Sequence, residues 1–382
     1  MDVLITDGNE RAALAAARSL VRAGYEVGVA ASRRFALAGV SRGVCRLRPA
    51  TESLVDPAGY AAEIAELASR LAVRVLVPVT DASVEAILTC RRQLPPSVTL
   101  PFPDLESYRN ASDKAAMLQA AREAGLAVPE TIPLDDAEAE LPDAGFFPAV
   151  LKPHRSVVRG RRFGVQFVNS LDECEKAVRA LPGVAFPVLL QRRVRGAGEG
   201  LFVLRWNGRF VAEFAHRRLR EKPPEGGVSV YRESIALDRD LARAGRRLLE
   251  ALNWQGVAMI ECKRDQATGR HVLMEINGRL WGSLQLAIDA GVDFPRLLVA
   301  CALGQTIPAV TPYRVGVRSR WFWGDVDHLY LKLRNGGGPA GKLAAVRDFF
   351  RVGGRRNREE IWRWRDPAPF LVESLQQLGF AR

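Results

Sequence analysis

The chain has 382 residues, of which 48% are hydrophobic and 26% are charged. This composition is close to the globular average and excludes a wholly disordered, collagen-like or coiled-coil chain, while the length predicts two or three domains. Lys and Arg number 55 against 43 Asp and Glu, so the formal net charge is +12. Such an excess indicates an anionic partner without choosing among nucleic acid, a membrane surface and a phosphorylated ligand.

The cysteines and the apolar segments together predict a cytoplasmic protein. The five cysteines are far apart and lack a C-x-x-C spacing, so neither a disulfide framework nor a zinc site is expected, and a reducing compartment fits. The first ten residues, MDVLITDGNE, are typical of a buried strand rather than of a signal peptide. The stretch Leu297–Tyr313 contains Gln, Thr and Pro residues that a transmembrane helix would tolerate poorly.

Residues 1–110 alternate strand and helix patterns. Short β-branched runs occur at Val3–Thr6, Glu26–Ala30 and Val73–Val79, and amphipathic Ala-rich segments occur at Glu10–Ala23, Pro57–Arg70 and Ser83–Arg92. This order is typical of a parallel sheet with crossover helices. The turn after the first strand, Asp7-Gly8-Asn9-Glu10, lacks the G-x-G-x-x-G pattern. The region is therefore predicted to be a structural α/β domain rather than a dinucleotide site.

A cluster of prolines at 95, 96, 101 and 103 and a capping sequence at 110–113 predict a domain boundary near residue 110 and a helix over Lys114–Ala124. Strands are predicted from there to about residue 310, at 149–152, 163–168, 188–194, 200–205, 209–215, 257–263 and 271–276. Asn207-Gly208 between two apolar runs predicts a β-hairpin. The order indicates an α+β domain with antiparallel strands.

Residues 311–382 differ from the rest in composition. They contain four of the seven tryptophans, namely Trp321, Trp323, Trp362 and Trp364, and thirteen Lys or Arg against six Asp or Glu lie between 314 and 366. Short amphipathic helices are predicted at 343–350 and 370–378. Two interpretations stay open: the aromatic residues pack onto the preceding domain, which is their commoner fate, or they form a peripheral contact with a membrane surface.

The most informative stretch combines Glu261 with Glu275-Ile276-Asn277-Gly278-Arg279. Side chains at positions i and i+2 of a strand share a face, so Glu275 and Asn277 can point toward Glu261 on the neighbouring strand. Two carboxylates side by side are costly without a cation, and oxygen ligands of this kind suit Mg²⁺. Arg279 could reach a phosphoryl group at that metal. The alternative is that both glutamates are ordinary solvent-facing strand residues.

Basic residues upstream point to a polyphosphate. Lys152 ends the apolar strand 148–153, where a rigid backbone places its ammonium group. The turn 154–164 carries Arg155, Arg159, Arg161 and Arg162 with two glycines, and could fold over phosphates or simply be an exposed basic loop. Lys114 lies in the first turn of its helix, where a surface lysine is the commoner outcome.

The order of these motifs resembles the ATP-grasp superfamily, specifically its carboxylate-amine ligase branch. The resemblance covers about residues 1–310 and runs through the following segments: Ser112-Asp113-Lys114, Val150-Leu151-Lys152-Pro153, Leu189-Leu190-Gln191 followed by Gly196, Met259-Ile260-Glu261, and Met274 to Arg279. It implies an α/β and α+β architecture. A Rossmann-like pre-ATP-grasp domain would span 1–110, a two-lobed ATP-grasp domain 111–310 with its lid lobe at about 115–190, and a basic, Trp-rich extension 311–382.

The resemblance also implies a role for each motif residue. Lys114 and Lys152 would contact ATP phosphates, and Gln191 would lie on the hinge strand beside adenine. Glu261, Glu275 and Asn277 would hold Mg²⁺, with Mn²⁺ as an alternative, and Arg279 would steady the transferred phosphoryl group or the acyl phosphate.

The sequence departs from the family pattern at two points. The phosphate-covering loop is rich in arginine instead of glycine, and Arg192-Arg193 follow Gln191 where the family usually has an acidic residue. Glu199 is therefore the predicted ribose contact. The segment 214–229 resembles the stretch near the acceptor site, where His216 is either a base for the amine or a polar strand residue.

The resulting hypothesis is an ATP-dependent ligase that activates a carboxylate as an acyl phosphate and joins it to an amine. The partners would be ATP and small carboxylate and amine substrates, with no expectation for the oligomeric state. Two alternatives are phosphoryl transfer to another acceptor and a basic protein that binds nucleic acid or a membrane surface. Nucleic acid is not expected, because a polyphosphate accounts for the basic residues of 111–310.

Overall fold

The computed structural model describes residues 1–49, 51–155, 157–158, 161–305, 307, 312–335, 338–354 and 356–380. Its first elements are β1 (Val3–Ile5), α1 (Arg11–Arg22), β2 (Val27–Ala30), β3 (Val44–Leu47), α2 (Pro57–Arg70), β4 (Val75–Val77), α3 (Asp81–Thr89) and α4 (Leu105–Ser112). The strands form a parallel sheet in the order β3-β2-β1-β4. The predicted alternation of strands and helices is confirmed, and α2 has the predicted bounds because Asp56 caps it and Pro57 occupies its first turn.

The second group of elements contains a smaller antiparallel sheet. It comprises α5 (Lys114–Glu123), β5 (Thr131–Leu134), β6 (Ala149–Pro153), β7 (Val157–Val158), β8 (Arg161–Arg162), β9 (Gln166–Val168), α6 (Leu171–Arg179) and β10 (Val188–Arg192). The sheet order is β5-β10-β6-β9, and β7 pairs with β8. Leu134, Leu151, Val188 and Leu190 are buried in a core separate from the rest of the molecule.

The third group forms the largest sheet. Its elements are β11 (Gly196–Trp206), β12 (Arg209–Lys222), β13 (Val228–Ser234), α7 (Arg239–Ala251), β14 (Gly256–Asp265), β15 (His271–Asn277), α8 (Leu284–Ala290) and α9 (Phe294–Ala302). The predicted hairpin at Asn207-Gly208 is confirmed, with positive φ angles of 47° and 77° at these two residues. Strands β14 and β15 form the second predicted hairpin.

The last residues extend this sheet instead of standing apart from it. They form β16 (Arg318–Arg320), α10 (Phe322–Asn335), α11 (Pro339–Phe350), β17 (Asn357–Glu359) and α12 (Ala368–Gln377). The sheet order is β15-β14-β11-β12-β13-β16-β17, so two strands of the extension complete one edge. Strand β17 is parallel to β16, a pairing that the sequence pattern did not predict.

The tryptophans of the extension make many of their contacts within the extension, while Trp321 also packs against the core that contains α1, α8 and α9. Trp321 donates to Glu373 at 2.7 Å, Trp323 donates to Ser374 at 2.9 Å, and the ring of Trp362 packs on Phe370. Trp364, in contrast, is 86% exposed. No helix in the described part of the chain is long and apolar enough to cross a membrane.

The large sheet buries both of its faces. Phe202 and Leu204 pack with α1, α8 and α9 on one face, while Leu201 and Val203 pack with α4, α5 and α7 on the other. Alternation along the strand explains the division, because successive side chains point to opposite faces. The mixed α/β and α+β fold class predicted from the sequence is confirmed.

Candidate functional site

A cleft of about 610 Å³ is lined by residues of the small antiparallel sheet and of the large sheet. All but one of the side chains predicted for the site line it, namely Lys114, Lys152, Gln191, Glu261, Glu275, Asn277 and Arg279. They come from α5, β6, β10, β14 and β15 and from the turn after β15. Residues distant in sequence therefore meet in one cavity.

Two buried lysines supply positive charge to the cleft. Lys114 and Lys152 are each 7% exposed, and the backbone N–H of Lys114 donates to the His154 carbonyl at 3.0 Å, which ties the start of α5 to the end of β6. Burial, together with the charge of Lys114, lowers the pKa of Lys152 to about 8 although Glu275 and Glu261 oppose the shift. Neither ammonium group has a carboxylate within ion-pair distance among the described residues. Two such cations suit a bound polyanion.

The carboxylates face each other across two neighbouring strands. Glu261 on β14 is the register partner of Glu275 on β15, and Asn277 Nδ2 donates to Glu275 Oε1 at 3.0 Å. Burial tends to raise the pKa of Glu275, but the charge of Lys114, the Asn277 hydrogen bond and the charge of Lys152 lower it below its ordinary value. Burial raises the pKa of Glu261, and the charge of Glu275 adds to this shift while Arg218 opposes it.

This donor set fits a small divalent cation. The carboxylates of Glu261 and Glu275 lie close to the Asn277 amide. The amide oxygen of Asn277 accepts a hydrogen bond from Arg279 and still has a second lone pair for a metal ion. The described residues contain no group of three or more His, Cys, Asp or Glu side chains arranged to hold a metal. Mg²⁺ with further ligands from phosphates and water suits two carboxylates and an amide.

Arg279 is held in place from two sides. Its Nε donates to Asp81 at 2.9 Å, at the start of α3, and its Nη2 donates to the Asn277 amide oxygen at 3.1 Å. These bonds orient the guanidinium beside the carboxylates. The adjacent Gly278 permits the close packing, because a Cβ there would lie 2.3 Å from the buried Trp254 ring.

Gln191 lies on β10 between two other strands of the small sheet. It is 3% exposed, and its Nε2 donates to Thr131 Oγ1 at 2.9 Å. Arg192 and Arg193, which follow it, also line the cleft. Arg192 pairs with Glu130 at 3.0 Å, and Arg193 lies over the Phe167 ring. Both arginines are thus engaged by neighbouring side chains.

The placement of Glu199 does not support the predicted ribose contact. Glu199 pairs with Cys262 across the strands, whereas its neighbour Gly200 pairs with Glu261, so Glu199 points to the opposite face of the sheet from the cleft. It is 5% exposed and bonds to His271 at 2.8 Å, and it does not line the cavity. A ribose contact from Glu199 thus stays a prediction without support from the cleft geometry, because strand alternation turns this side chain away.

The arginine-rich turn is described only in part. Strands β7 and β8 pair as an antiparallel ribbon, and Arg155 lies 3.7 Å from Asp113 at the cap of α5. Arg159 and Gly160 lie outside the described residues, as do the side chains of Arg161 and Arg162. Phe163, Val165 and Phe167, which follow, supply apolar lining to the cleft.

Three functional candidates were not assigned from the sequence. Arg218 Nη2 pairs with Glu261 at 2.5 Å, so a predicted metal ligand already has a cationic neighbour. Arg11 of α1 and Lys263 of β14 also line the cleft. The signal for Arg218 was present in the sequence, since it shares a strand face with His216, but its partner on β14 became visible only in the folded chain.

Comparisons with known proteins find similarity over part of the chain. Residues 187–324 match the family model described as ATP-grasp in the biosynthetic pathway with Ter operon. The vancomycin/teicoplanin A-type resistance protein VanA of Enterococcus faecium is 28% identical over 189 residues, which cover 46% of this chain and 54% of VanA. The chain thus matches about half the length of this curated relative.

Solved structures share the fold over most of the chain. Biotin carboxylase of Campylobacter jejuni has a TM-score of 0.64 at 16% identity, covering 83% of this chain and 74% of its own. The L-amino acid ligase of Bacillus licheniformis has a TM-score of 0.64 at 16% identity, with coverages of 82% and 78%. N5-carboxyaminoimidazole ribonucleotide synthetase of Thermus thermophilus has a TM-score of 0.60 at 19% identity, with coverages of 81% and 80%. Residues 187–324 are therefore similar to an ATP-grasp family, and most of the chain shares its fold with these three solved structures.

Proposed function

We propose that the protein is an ATP-dependent ligase that joins a small-molecule carboxylate to an amine. The observation that carries the proposal is the convergence of Lys114, Lys152 and Arg279 with Glu261, Glu275 and Asn277 in one cleft. Phosphoryl transfer needs charge neutralisation and positioning more than a covalent protein nucleophile, and this set supplies both. The L-amino acid ligase and the ribonucleotide synthetase that share this fold support the class of reaction.

The proposed reaction has two steps. A carboxylate oxygen of the first substrate attacks the γ-phosphorus of ATP, the bond to ADP breaks, and an acyl phosphate forms. The amine nitrogen of the second substrate then attacks the acyl carbon, phosphate leaves, and the nitrogen loses a proton to give an amide.

The proposed roles of the side chains follow from their charges. Lys114 and Lys152 bind the phosphates, Gln191 lies beside the adenine, and Arg279 stabilises the charge on the transferred phosphoryl group and on the acyl phosphate. Glu261, Glu275 and Asn277 hold Mg²⁺, or Mn²⁺ in its place. Such a bound ion would neutralise phosphate charge and act as a Lewis acid.

The proposal keeps the predicted organisation of the chain. An N-terminal domain spans 1–110, an ATP-grasp domain 111–310 with its lid at about 115–190, and an extension 311–382. Arg218 then lies beside the metal ligands, in the strand that leads toward the acceptor loop at 226–229. The proposed location is the cytoplasm, and the proposed partners are ATP and small molecules.

The test measures product formation as well as phosphate release. The full-length protein is incubated with MgATP and a panel of amino acids and small carboxylates, and amide products are identified by mass spectrometry. Amide formed together with ADP and phosphate supports the ligase. A phosphorylated product that accumulates without an amide would instead establish phosphoryl transfer to another acceptor.

One surface favours a second role, peripheral contact with an anionic membrane. Leu371, Leu375 and Leu378 form an exposed stripe on and just after α12, and Phe380 and Trp364 are 79% and 86% exposed. Arg365, which follows Trp364 in the chain, is also exposed. Apolar residues with nearby basic groups suit an anionic lipid surface. Sedimentation of the full chain with anionic but not with neutral vesicles supports this role. Loss of that sedimentation in Leu371→Ser/Leu375→Ser would show that the contact is made by α12.

A further inference from the structure

One part of the cleft is lined by buried polar atoms that have no partner. Both ring nitrogens of the fully buried His216, the Trp281 Nε1 and the Ser229 Oγ lack a hydrogen bond within the described part of the chain. Unpartnered buried polar groups are costly, so native proteins rarely leave them without a hydrogen-bond partner. All three side chains line the same cavity. The indole N–H can only donate, so whatever occupies this place must offer an acceptor.

His216 and Trp281 are linked through Phe202, and Ser229 is linked to Arg11 through Arg232 and Glu360. The ring of Phe202 contacts both His216, at a centroid distance of 4.6 Å, and Trp281, at 4.5 Å. Arg11 also lines the cleft and approaches Gly282, the residue after Trp281. We refer to Arg11, His216, Ser229 and Trp281 as the Arg11 cluster.

The C-terminal extension positions the guanidinium of Arg11. Arg11 Nη1 donates to Glu360 at 2.7 Å, and Arg11 Cζ lies 3.8 Å from the centre of the Trp321 ring. A Cβ at Gly282 would be only 3.0 Å from Arg11 Nη2, so glycine leaves room for this approach. Nη2 itself has no hydrogen-bond partner among the residues that the structure describes. One edge of the guanidinium is therefore available to a ligand.

The charges around Arg11 favour an anion. Glu360 pairs with Arg11 and also with Arg232, whose Nη1 donates to the Ser229 carbonyl at 2.7 Å, so two cations share one carboxylate. Glu373 accepts a hydrogen bond from Trp321 Nε1, and burial raises its pKa to about 7. Two guanidinium groups that share the Glu360 carboxylate favour a singly charged anion beside them, such as a carboxylate.

We propose that the Arg11 cluster binds the unreacted carboxylate of an amine substrate, with Arg11 as its cation and Trp321 and Glu360 of the extension as positioning residues. The amino group of the same molecule then lies near His216, whose neutral imidazole can accept an N–H. The inference rests on the proposed ligase function and adds its amine substrate class, an amine that itself carries a carboxylate, such as an amino acid. Residues 311–382 thereby become part of the substrate site.

The test compares binding of paired probes to the full-length protein. Isothermal titration calorimetry with MgADP present measures the affinity for each standard L-amino acid and for its α-carboxamide. We expect one or more amino acids to bind at least about 10-fold more tightly than the paired amide. Arg11→Gln should remove about 10- to 100-fold of the amino-acid affinity while leaving the affinity for the amide and for MgADP unchanged. Arg11→Lys should retain part of the preference.

Control variants separate recognition from folding. Arg22→Gln, on the same helix but exposed, should keep the full preference. Trp321→Phe, which keeps an aromatic ring, should lose part of it without losing MgADP binding. The proposal is overturned when no amino acid binds more tightly than its amide, or when Arg11→Gln weakens both probes equally. Arg11-dependent binding without any amide product would contradict the ligase function alone, because binding needs no turnover.

Discussion

Arg218 Nη2 lies 2.5 Å from a carboxylate oxygen of Glu261, and its Nη1 donates to Glu221 at 3.0 Å. The arginine side chain is 11% exposed and that of Glu261 is 17% exposed. Because Glu261 also faces Glu275 across the strands, Arg218 is the cation that compensates a carboxylate proposed to bind metal. The pair thus stabilises the cleft before any ligand enters.

Removing Arg218 should destabilise the ligand-free protein. Arg218→Met leaves Glu261 nearly buried beside Glu275 without its counter-ion, which we expect to cost about 3–5 kcal/mol of unfolding free energy. Urea denaturation without metal or nucleotide measures it. Arg217→Met is the matched control, since Arg217 is 45% exposed and pairs with Glu233, and should cost about 1 kcal/mol or less. Equal losses in the two variants would contradict the role given to Arg218.

The carboxylate and amide set should control metal-dependent turnover. Glu275→Gln keeps the shape of the side chain but removes a charge, and we expect about a 100-fold or larger loss of substrate-dependent phosphate release together with a higher Mg²⁺ requirement. Chelation with EDTA should stop turnover in the wild type, and added Mg²⁺ should restore it. Glu250→Gln on the exposed side of α7 serves as the control. Unchanged turnover in Glu275→Gln and Asn277→Ala would disprove the metal assignment.

Loss of the Lys152 proton should lower kcat/KM for ATP at alkaline pH. Its pKa of about 8 lies below the ordinary value of 10.5, so the ammonium loses its proton as the pH rises through about 8. Since kcat/KM for ATP reports the free enzyme, we expect it to fall above about pH 8, whereas kcat should persist to higher pH because bound phosphates favour the charged form. Lys152→Arg stays protonated and should abolish the fall. A kcat/KM that is flat to pH 10 in the wild type would refute this role.

The same lysine should weaken the ligand-free fold. Because the pKa of Lys152 is lower in the folded state, the unfolded chain binds more protons between about pH 8 and 10.5. Lys152 therefore lowers the free energy of unfolding by its full amount below about pH 8, and this loss fades as the pH rises toward 10.5. Lys152→Met should therefore raise the Tm at pH 7 by a few degrees while abolishing ATP binding. Differential scanning calorimetry should show the rise in Tm at pH 7 and a smaller difference between variant and wild type at pH 10. A lower Tm for the variant at pH 7 would contradict the expectation.

Gly278 should tolerate no side chain. A Cβ there would lie 2.3 Å from Trp254 and 3.2 Å from Tyr108, and both rings are buried. Gly278→Ala should cost about 1–3 kcal/mol and displace Asn277 and Arg279, so kcat should fall more than the stability loss alone explains. Gly183→Ala, where a Cβ meets nothing within 4 Å, is the control. Thermal melts and steady-state kinetics of the two variants make the comparison.

Much of the site could be predicted because its residues occur in short local patterns. Glu275 and Asn277 are two residues apart on one strand, and Lys152 ends an apolar run, so their side-chain directions follow from strand alternation. Glu199 shows the limit of this approach. Its role was implied by the family resemblance, but pairing with β14 turns its side chain to the other face of the sheet.

The contribution of the last seventy residues could not be predicted in the same way. Strand β17 is only three residues long, and its partner β16 lies across two intervening helices. The contacts of Glu360 with Arg11 and Arg232 join residues 349 and 128 positions apart. Local periodicity carries no information on such pairs.

The sequence by itself determined the strand and helix alternation of residues 1–110, the two hairpins and seven of the eight residues expected in the cleft, because each depends on side-chain alternation, turn chemistry or a short motif. Only the tertiary structure decided that Arg218 compensates Glu261, that Glu199 faces away, and that residues 311–382 complete the large sheet and hold Arg11 at the cleft. The physical reason is that these relationships depend on strand register and long-range ion pairing, which arise only when distant segments pack together.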